Sequence, residues 1–258
     1  MSAAAILAAG LGALAAAAAA PASLPAEPVP FSAHLPALQV VLPMLGARAA
    51  TILRSGAAGW LIALAVSWAS PLISLLLLRE VLAAGTISYA MGGWAPPLGI
   101  EYRVDEANAF LLVLVSIMAA LVTTFGPRSL ASEIPDSKRG WYWAMFLTCL
   151  CGLQGMAITG DAFNVFVFME ISSLAMYALI ALGRDRRALV AAYQYLVIGT
   201  IGATFYVLGV GLLFTITGTL NLVDLAERLE PIRDSKAALA ALAFIAVGIG
   251  LKLALFPL

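Results

Sequence analysis

The sequence predicts an all-α fold, a polytopic transmembrane helical bundle of about seven or eight helices, with the last helix discontinuous at Pro257. Composition is the first reason. Of 258 residues, 63% are hydrophobic and 11% are charged, whereas a soluble domain carries about 25% charged residues. The second reason is a series of apolar runs, each near the ~20 residues that cross a bilayer as a helix. The net charge of zero gives no indication of nucleic acid as a partner.

The apolar runs divide the chain into three parts. Residues 1–20 are an Ala-rich N-terminal apolar segment, residues 21–34 are a Pro-rich tether, and residues 35–258 are a membrane domain. The first segment lacks the basic start of a secretory signal, so an extra helix, a signal-like segment and a misplaced start codon all stay open. The eight runs cover residues 3–20, 35–53, 57–78, 109–125, 141–159, 162–183, 189–217 and 237–258.

Lysine and arginine residues predict the orientation of the bundle, because short cytoplasmic connections carry an excess of them. The connections after the second, fourth and sixth runs carry Arg48, Arg54, Arg128, Lys138, Arg139, Arg184, Arg186 and Arg187. The opposite connections carry only Arg79, Arg103, Arg228, Arg233 and Lys236. The first set of connections is therefore predicted to face the cytoplasm.

Two connections are long enough to hold structure of their own. Residues 81–108 are rich in glycine, proline and aromatic residues, which favours an ordered external loop with a hairpin at the membrane surface. Residues 220–236 place Leu222, Leu225 and Leu229 on one helical face. This second pattern predicts a short amphipathic helix at the membrane interface.

Two charged residues, Glu170 and Lys252, lie deep inside apolar runs. A charge at the centre of a spanning helix costs about 2.5–3.5 kcal/mol and normally faces a protein interior, a cavity or a partner. Ser173 and Tyr177 share a helical face with Glu170, so both are candidates to support a proton path. Two other interpretations stay open: Glu170 only stabilises helix packing, or Lys252 extends its ammonium group to the membrane surface.

Lys252 stands near residues that interrupt a helix. Gly248 and Gly250 precede it, and Pro257 cannot donate a backbone hydrogen bond to the carbonyl of Leu253. A helix break at membrane depth is tolerated where it lines a cavity or is buried in protein. A glutamate and a lysine whose titrations are coupled can pass a proton between them. Glu170 and Lys252 are therefore predicted to transfer protons, with Pro257 as the helix break.

The remaining polar residues favour structural roles. Asp161 is predicted to cap the helix that follows it. Cys149 and Cys151 are two residues apart and are interpreted as small apolar fillers. His34 is the single histidine and cannot supply two axial ligands to a haem. No cofactor and no metal are therefore expected, and no catalytic chemistry of the chain's own.

Several stretches resemble one family. TGDAFNVFVFMEISSLAMYALIALG is similar to the fifth helix of the antiporter-like subunits shared by Mrp-type Na+/H+ antiporters and respiratory complex I. AAYQYLVIGTIGATFYVLGVGLLFTITGTLNLVDLA resembles the sixth helix and its loop, and GIGLKLALFPL resembles the broken seventh. GGWAPPLGIEYRVDEANAF is most similar to the D subunits of Mrp antiporters, including relatives in membrane-bound hydrogenases.

The resemblance covers residues 34–258, and it implies a function. It makes Glu170 and Lys252 the counterparts of the family's essential proton-handling glutamate and lysine. It also implies Na+ and protons as transported ions, other Mrp subunits as partners, and the bacterial or archaeal cell membrane as the location. Family members have about fourteen helices in two inverted halves, so the chain resembles an N-terminal half or a fragment.

Two alternatives to a cation/proton antiporter subunit stay open at this point. The first is a proton-translocating subunit of an NADH:quinone oxidoreductase or a membrane-bound hydrogenase, in which partner chains would carry the redox chemistry. No nucleotide, flavin, quinone or iron–sulfur motif is recognisable in this sequence. The second alternative is a non-transporting membrane scaffold in which the two charges only join helices.

Overall fold

A computed structural model describes residues 31–255 of the chain. The Ala-rich segment 1–20, the tether up to residue 30 and Pro257 lie outside the described residues, so the expectations for them stay predictions.

The described residues form a helical bundle, as the sequence predicts. The α-helices are Leu35–Leu53 (α1), Gly56–Ala84 (α2), Glu106–Glu133 (α3), Arg139–Ile158 (α4), Ala162–Ala181 (α5), Arg186–Thr217 (α6), Leu222–Leu229 (α7) and Lys236–Lys252 (α8). Two strands, Ile87–Ala90 (β1) and Glu101–Val104 (β2), pair as an antiparallel hairpin. Helices α1 to α6 are long and apolar enough to cross a membrane. Short 3-10 turns lie at Phe31–His34, Met91–Gly93, Asp136–Lys138 and Glu230–Ile232.

Polar capping residues set the starts of six helices. In each case the side chain accepts a hydrogen bond from a backbone N–H of the first turn, which has no partner inside the helix. These residues are Ser55, Asp105, Asp161, Asp185, Asn221 and Ser235. Hydropathy detects only the apolar part of a helix and misses its polar ends. The runs 57–78 and 109–125 therefore underestimate the lengths of α2 and α3, which continue to Ala84 and Glu133.

Helix α3 continues past a proline because another helix replaces the missing hydrogen bond. Pro127 has no N–H to donate to the carbonyl of Thr123, one turn earlier. Trp60 Nε1 of α2 donates to that carbonyl oxygen at 3.0 Å. The helix that the apolar run predicts to stop at residue 125 therefore extends by two further turns.

Helix α8 ends at Lys252, earlier than the apolar run 237–258 predicts. Ala254 adopts a positive φ of 51°. The N–H of Leu255 donates to the carbonyl of Gly250 at 3.0 Å, and that of Ala254 to the carbonyl of Leu251 at 3.2 Å. This hydrogen-bond pattern is a Schellman motif, which satisfies the last carbonyls of a helix. Local backbone geometry therefore terminates α8 five residues before Pro257.

Helix α4 is the central element of the first five helices. About 61% of its most apolar 18-residue stretch is buried, against 22% of the corresponding stretch of α5. Two apolar clusters surround it. The hairpin cluster includes Leu77, Val81, Val104, Leu112, Cys151 and Ile158. The Trp143 cluster includes Ala47, Ala63, Val66, Ala119, Trp143, Leu147 and Leu150.

Glycines let α6 and α8 approach each other at backbone distance. A Cβ atom on Gly248 would lie 2.6 Å from the backbone nitrogen of Tyr206 and 2.7 Å from the carbonyl oxygen of Gly202. A Cβ atom on Gly209 would lie 2.7 Å from the carbonyl oxygen of Ala241. Small residues at helix interfaces allow this approach in membranes, where close van der Waals packing holds helices together.

The hairpin is joined to the turn before α5 and to the loop before α7. The N–H of Gly160 donates to the carbonyl of Glu101 at 2.9 Å, and Tyr102 forms an isolated bridge with Thr159. Asn221 Nδ2 donates to Glu101 Oε2 at 2.7 Å, and Ser88 Oγ donates to Glu101 Oε1. Glu101 is 4% exposed. The predicted hairpin and amphipathic helix are both present, and the membrane side on which they lie stays a prediction.

Replacement of Gly248 by alanine is expected to lower the stability of the bundle. The added methyl group would overlap backbone atoms of α6, and overpacking of this kind typically costs about 1–3 kcal/mol. A shift of roughly 2–4 °C per kcal/mol is expected in the Tm of the detergent-solubilised protein. Gly211→Ala on α6 is the matched control, because nothing lies within 4 Å of its Cβ position. An equal Tm for the two variants would contradict the close approach.

Replacement of Glu101 by alanine is expected to loosen the hairpin. The buried Asn221 Nδ2 would lose its acceptor, and a buried donor left unpaired costs about 1–3 kcal/mol. Ser88 Oγ would lose the same partner, but it is exposed and can bond to water. Hydrogen–deuterium exchange should become faster at the backbone amides of residues 87–104. Glu227→Ala is the control, because Glu227 is an exposed acid in the same region. Unchanged exchange in the Glu101 variant would show that its carboxylate does not anchor the hairpin.

Candidate functional site

The structure brings Glu170 of α5 and Lys252 of α8 into direct contact, although they are 82 residues apart. Lys252 Nζ donates to Glu170 Oε1 at 2.7 Å and to Ser173 Oγ at 2.9 Å. The side chains of Lys252 and Glu170 are 10% and 23% exposed. The two intramembrane charges singled out by the sequence are therefore one ion pair, with a serine hydroxyl as a second acceptor for the ammonium group.

Helix α5 is fixed at its start and along one face. Asp161 Oδ1 accepts a hydrogen bond from the N–H of Asn164 at 2.7 Å. Next to Glu170, α5 packs against glycines of α4: a Cβ atom on Gly152 would lie 2.6 Å from the backbone nitrogen of Ser172. The rotation of α5 about its axis therefore depends on α4, and that rotation directs Glu170 and Ser173 towards Lys252.

Helix α6 makes room for the stem of Lys252. A Cβ atom on Gly202 would lie 3.4 Å from Lys252 Cγ and 3.0 Å from the carbonyl oxygen of Gly248. Lys252 is also the last residue of α8. The negative end of a helix dipole favours a cation at that position. Packing and the dipole thus both hold a positive charge beside Glu170.

The charges of the pair compensate each other where solvation is poor. An isolated charge in the middle of a span would cost about 2.5–3.5 kcal/mol. A paired and hydrogen-bonded charge avoids much of this cost, whereas the removal of one partner leaves the other uncompensated. The arrangement can therefore respond strongly to the gain or loss of one proton.

The Tyr177 hydroxyl lies one turn beyond Ser173 on the same helix. It is buried, and its oxygen has no hydrogen-bond partner among the described residues. It points at Gly199 of α6, where a Cβ atom would collide with Tyr177 Oη. The ring of Tyr195 meets the Tyr177 ring edge-on, with centroids 4.7 Å apart. The absence of a side chain at position 199 therefore gives the hydroxyl its space.

Asp161 does not join the ion pair. It precedes Glu170 by nine residues, which corresponds to about 14 Å along a helix. Burial raises the pKa of the Asp161 carboxyl, and backbone hydrogen bonds from Asn164 and Phe163 partly offset this effect. The contacts of Asp161 are those of a helix cap at the end of the bundle that carries the hairpin.

Several buried polar residues gave no signal in the sequence. Glu101 lies in a connection between apolar runs, where an acidic residue is ordinary. It lines a surface cavity of about 390 Å³ together with Ser88, Arg103, Asn221 and Asp224. Gln39 and Gln154 are fully buried inside α1 and α4. Glutamine carries no charge, so it did not stand out from the apolar runs.

Pro257 lies outside the described residues. Among residues 31–255, no group of three His, Cys, Asp or Glu side chains could hold a metal ion.

The fold and this pair define a class of membrane protein. Residues 159–258, which include Glu170 and Lys252, match the family model described as NADH:quinone oxidoreductase/Mrp antiporter, TM. The chain is a multi-pass membrane protein and belongs to the antiporter-like membrane subunits shared by these two kinds of complex. The resemblance inferred from the sequence motifs is confirmed at this level.

Curated relatives come from both kinds of complex. The chain is 44% identical over 240 residues to NADH-quinone oxidoreductase subunit N of Desulforudis audaxviator (strain MP104C), which covers 88% of this chain and 46% of the relative. It is 31% identical over 186 residues to the D subunit of the Na(+)/H(+) antiporter from Bacillus subtilis (strain 168), which covers 72% of this chain and 37% of the relative. The chain therefore spans less than half the length of these relatives.

A solved structure shares the fold at similar coverage. A chain of the membrane-bound sulfane sulfur reductase, an archaeal respiratory membrane complex, superposes with a TM-score of 0.78 and is 30% identical. The match covers 87% of this chain and 46% of that chain. The helical arrangement described above is therefore shared with a chain of that membrane complex.

Proposed function

We propose that the chain carries part of a transmembrane proton path, with Glu170 and Lys252 as its titrating pair. The observation that carries this proposal is the 2.7 Å contact between Lys252 Nζ and Glu170 Oε1. Acids and lysines inside membrane spans usually mark ion paths, because their cost in lipid is otherwise not offset. At this distance, a change in the charge of one group also acts directly on the other.

The proposed step is an exchange of protons within the pair. A proton that reaches Glu170 neutralises the carboxylate that stabilises the Lys252 ammonium ion. Lys252 then holds an uncompensated positive charge in a poorly solvated place, and it releases its proton to an acceptor further along the path. Glu170 then passes its proton to the neutral amine of Lys252, which restores the ion pair and completes the transfer of one proton. The hydroxyl oxygen of Ser173 remains available as an acceptor for Lys252 Nζ while the ion pair is broken.

Tyr177 extends the proposed path along α5. Ser173 and Tyr177 are four residues apart and share a helical face, so their hydroxyl groups are on the same side of the helix. The unpaired Tyr177 hydroxyl has a hydrogen to donate and a lone pair to accept with. A water molecule between the two hydroxyl groups would continue the chain of hydrogen bonds from Lys252 towards the end of α5.

The first candidate for the whole assembly is a multisubunit monovalent cation (Na+)/proton antiporter. Its support is the 31% identical relative, which is named as the D subunit of a Na(+)/H(+) antiporter. The partners would be the other subunits of an Mrp-type complex, and the location would be the cell membrane of a bacterium or an archaeon. In this assembly, the movement of one ion down its gradient would drive the other ion across the membrane in the opposite direction.

The second candidate is a proton-translocating subunit of a redox-driven complex. Two observations favour it: the 44% identity to NADH-quinone oxidoreductase subunit N, and the fold shared with an archaeal respiratory complex. Electron transfer would take place in partner chains, and the Glu170–Lys252 pair would have the same role. The two candidates differ in what drives the proton, and they share the site.

Replacement of Glu170 by glutamine is expected to abolish proton movement. Glutamine keeps the size of the side chain but cannot bind and release a proton at physiological pH. Loss of a positioned acid–base group typically lowers a rate by about 10²-fold or more. Everted membrane vesicles that contain the whole assembly should be assayed with a pH-sensitive dye after a Na+ pulse, and after addition of NADH. Glu170→Asp, which shortens the acid, should retain part of the rate.

The controls for this assay separate the candidates. Glu227→Gln removes an exposed acid and should keep the wild-type rate. Na+-driven proton movement supports the antiporter, and NADH-driven pumping supports the redox-driven complex. If Glu170→Gln retains the wild-type rate with both drivers, the pair only joins helices, and the scaffold alternative replaces the proposal.

Replacement of Tyr177 by phenylalanine is expected to slow proton movement less than Glu170→Gln does. The change removes only the hydroxyl group and leaves the ion pair in place. Gly199→Ala should act in the same direction, because its methyl group would displace the hydroxyl. The solvent deuterium isotope effect on the transport rate is the measurement, since it reports proton transfer rather than stability. Tyr193→Phe, at an exposed position on α6, is the matched control. An isotope effect equal to that of wild type in both variants would remove Tyr177 from the path.

A further inference from the structure

We propose that helices α1 to α4 enclose a binding site for ordered water, separate from the Glu170–Lys252 pair. The site is a polar layer inside the apolar interior of these helices. Six fully buried side chains form it: Gln39, Ser67, Ser70, Ser74, Ser116 and Gln154. None of these six side chains is charged, so the chemistry of the layer differs from that of the ion pair.

The layer lies between the two apolar clusters. On α2, the three serines fall between Val66 of the Trp143 cluster and Leu77 of the hairpin cluster. On α3, Ser116 falls between Ala119 and Leu112, which belong to the same two clusters. On α4, Gln154 falls between Cys151 and Ile158, which both belong to the hairpin cluster. Helices α2 and α3 therefore change from apolar to polar and back between the two clusters, and α4 adds one polar residue inside the hairpin cluster.

Hydrogen bonds connect three of the helices within the layer. Gln39 Nε2 of α1 donates to Ser74 Oγ of α2 at 2.8 Å. Ser74 Oγ lies 3.0 Å from Ser116 Oγ of α3. A contact on α4 places Gln154 near this network. Cys151, three residues before Gln154 on the same helix, donates its Sγ–H to the carbonyl of Val40, the residue after Gln39.

Four buried side-chain atoms of the layer lack a partner among the described residues. They are Gln39 Oε1, Ser67 Oγ, Gln154 Nε2 and Gln154 Oε1. Buried polar atoms in proteins nearly always make a hydrogen bond, either with protein or with ordered water. Inside a membrane span no bulk solvent can supply that bond. Four such atoms in one layer therefore indicate a ligand that both donates and accepts.

Two prolines add backbone acceptors to the same layer. Pro43 cannot donate to the carbonyl of Gln39, and Pro71 cannot donate to the carbonyl of Ser67. For the equivalent carbonyl of Thr123, Trp60 is the substitute donor. Within residues 31–255, no side chain donates to the carbonyls of Gln39 and Ser67. Both freed carbonyls belong to residues that also carry an unpaired side-chain oxygen.

Water fits these groups better than a cation does. The layer offers several oxygen acceptors, but Gln154 Nε2 is a donor and would repel a cation. None of the six side chains that form the layer is a carboxylate that could compensate a buried positive charge, and an uncompensated charge in a low-dielectric interior is costly. A buried water molecule typically makes about three hydrogen bonds with otherwise unpaired groups. The unpaired atoms of Gln39, Ser67 and Gln154 are groups of this kind. Gln39 contacts Ser74, and Ser67 precedes Ser74 by seven residues, about 10 Å along α2, so the layer needs more than one water molecule.

An experimental structure of the assembled complex, determined by electron cryo-microscopy at a resolution that shows ordered water, tests the proposal. Grids should be prepared in Na+ buffer and in buffer with choline in place of Na+. Density is expected within about 3 Å of the Gln154 side-chain amide in both buffers. Absence of density there, with ordered water visible elsewhere in the protein, would overturn the proposal. Density that appears in Na+ and vanishes in choline would also overturn it, in favour of a cation site.

Gln154→Leu provides a second test with a matched control. Leucine has a similar size and removes both unpaired atoms, so the density beside residue 154 should disappear. Thr148→Val on the same helix is the control, because the Thr148 hydroxyl already donates to the carbonyl of Ala144. The control should retain the density, and retention in Gln154→Leu would overturn the assignment. If the leucine variant does not assemble, the wild-type structures in the two buffers still decide. Failure of this proposal leaves the proton path unaffected, because the two sites share no residue.

Discussion

The contact between Lys252 and Glu170 depends on how closely four helices approach in two pairs, and glycines set the distance within each pair. Gly202 and Gly248 bring α6 and α8 to backbone contact. Gly152 does the same between α4 and α5. In lipid, apolar side chains gain little by leaving the hydrocarbon, so close packing and hydrogen bonds hold helices together. Helix α6 packs against both α5 and α8, and Lys252 Nζ, at the end of α8, reaches Glu170 Oε1 of α5 at 2.7 Å.

Helix α4 separates two kinds of polar interior. Gly152 on one face packs against α5, which carries the ion pair. Gln154 is two residues further along, so it points to a different face, towards the polar layer. The two sites differ in chemistry. A carboxylate and an ammonium group can gain or lose a proton, whereas serine hydroxyls and glutamine amides only donate and accept hydrogen bonds at ordinary pH.

The sequence predicted the hairpin and the amphipathic helix but not the link between them. Glycine, proline and aromatic residues indicate turns and strands locally, and the spacing of Leu222, Leu225 and Leu229 indicates a helix face. The role of Glu101 depends on Asn221, which is 120 residues away. A loop acid is solvated in most proteins, so nothing near Glu101 in the sequence distinguishes it from an exposed glutamate.

The sequence by itself located the six helices that are long and apolar enough to cross a membrane, and it identified the two residues that do not belong in lipid. It could do so because the cost of a charge in hydrocarbon depends on that residue alone. Only the tertiary structure decided that Glu170 and Lys252 are partners, that α8 ends at Lys252, and that Gln154 is buried without a partner. These properties depend on neighbours from other helices, and hydropathy scores each residue without them.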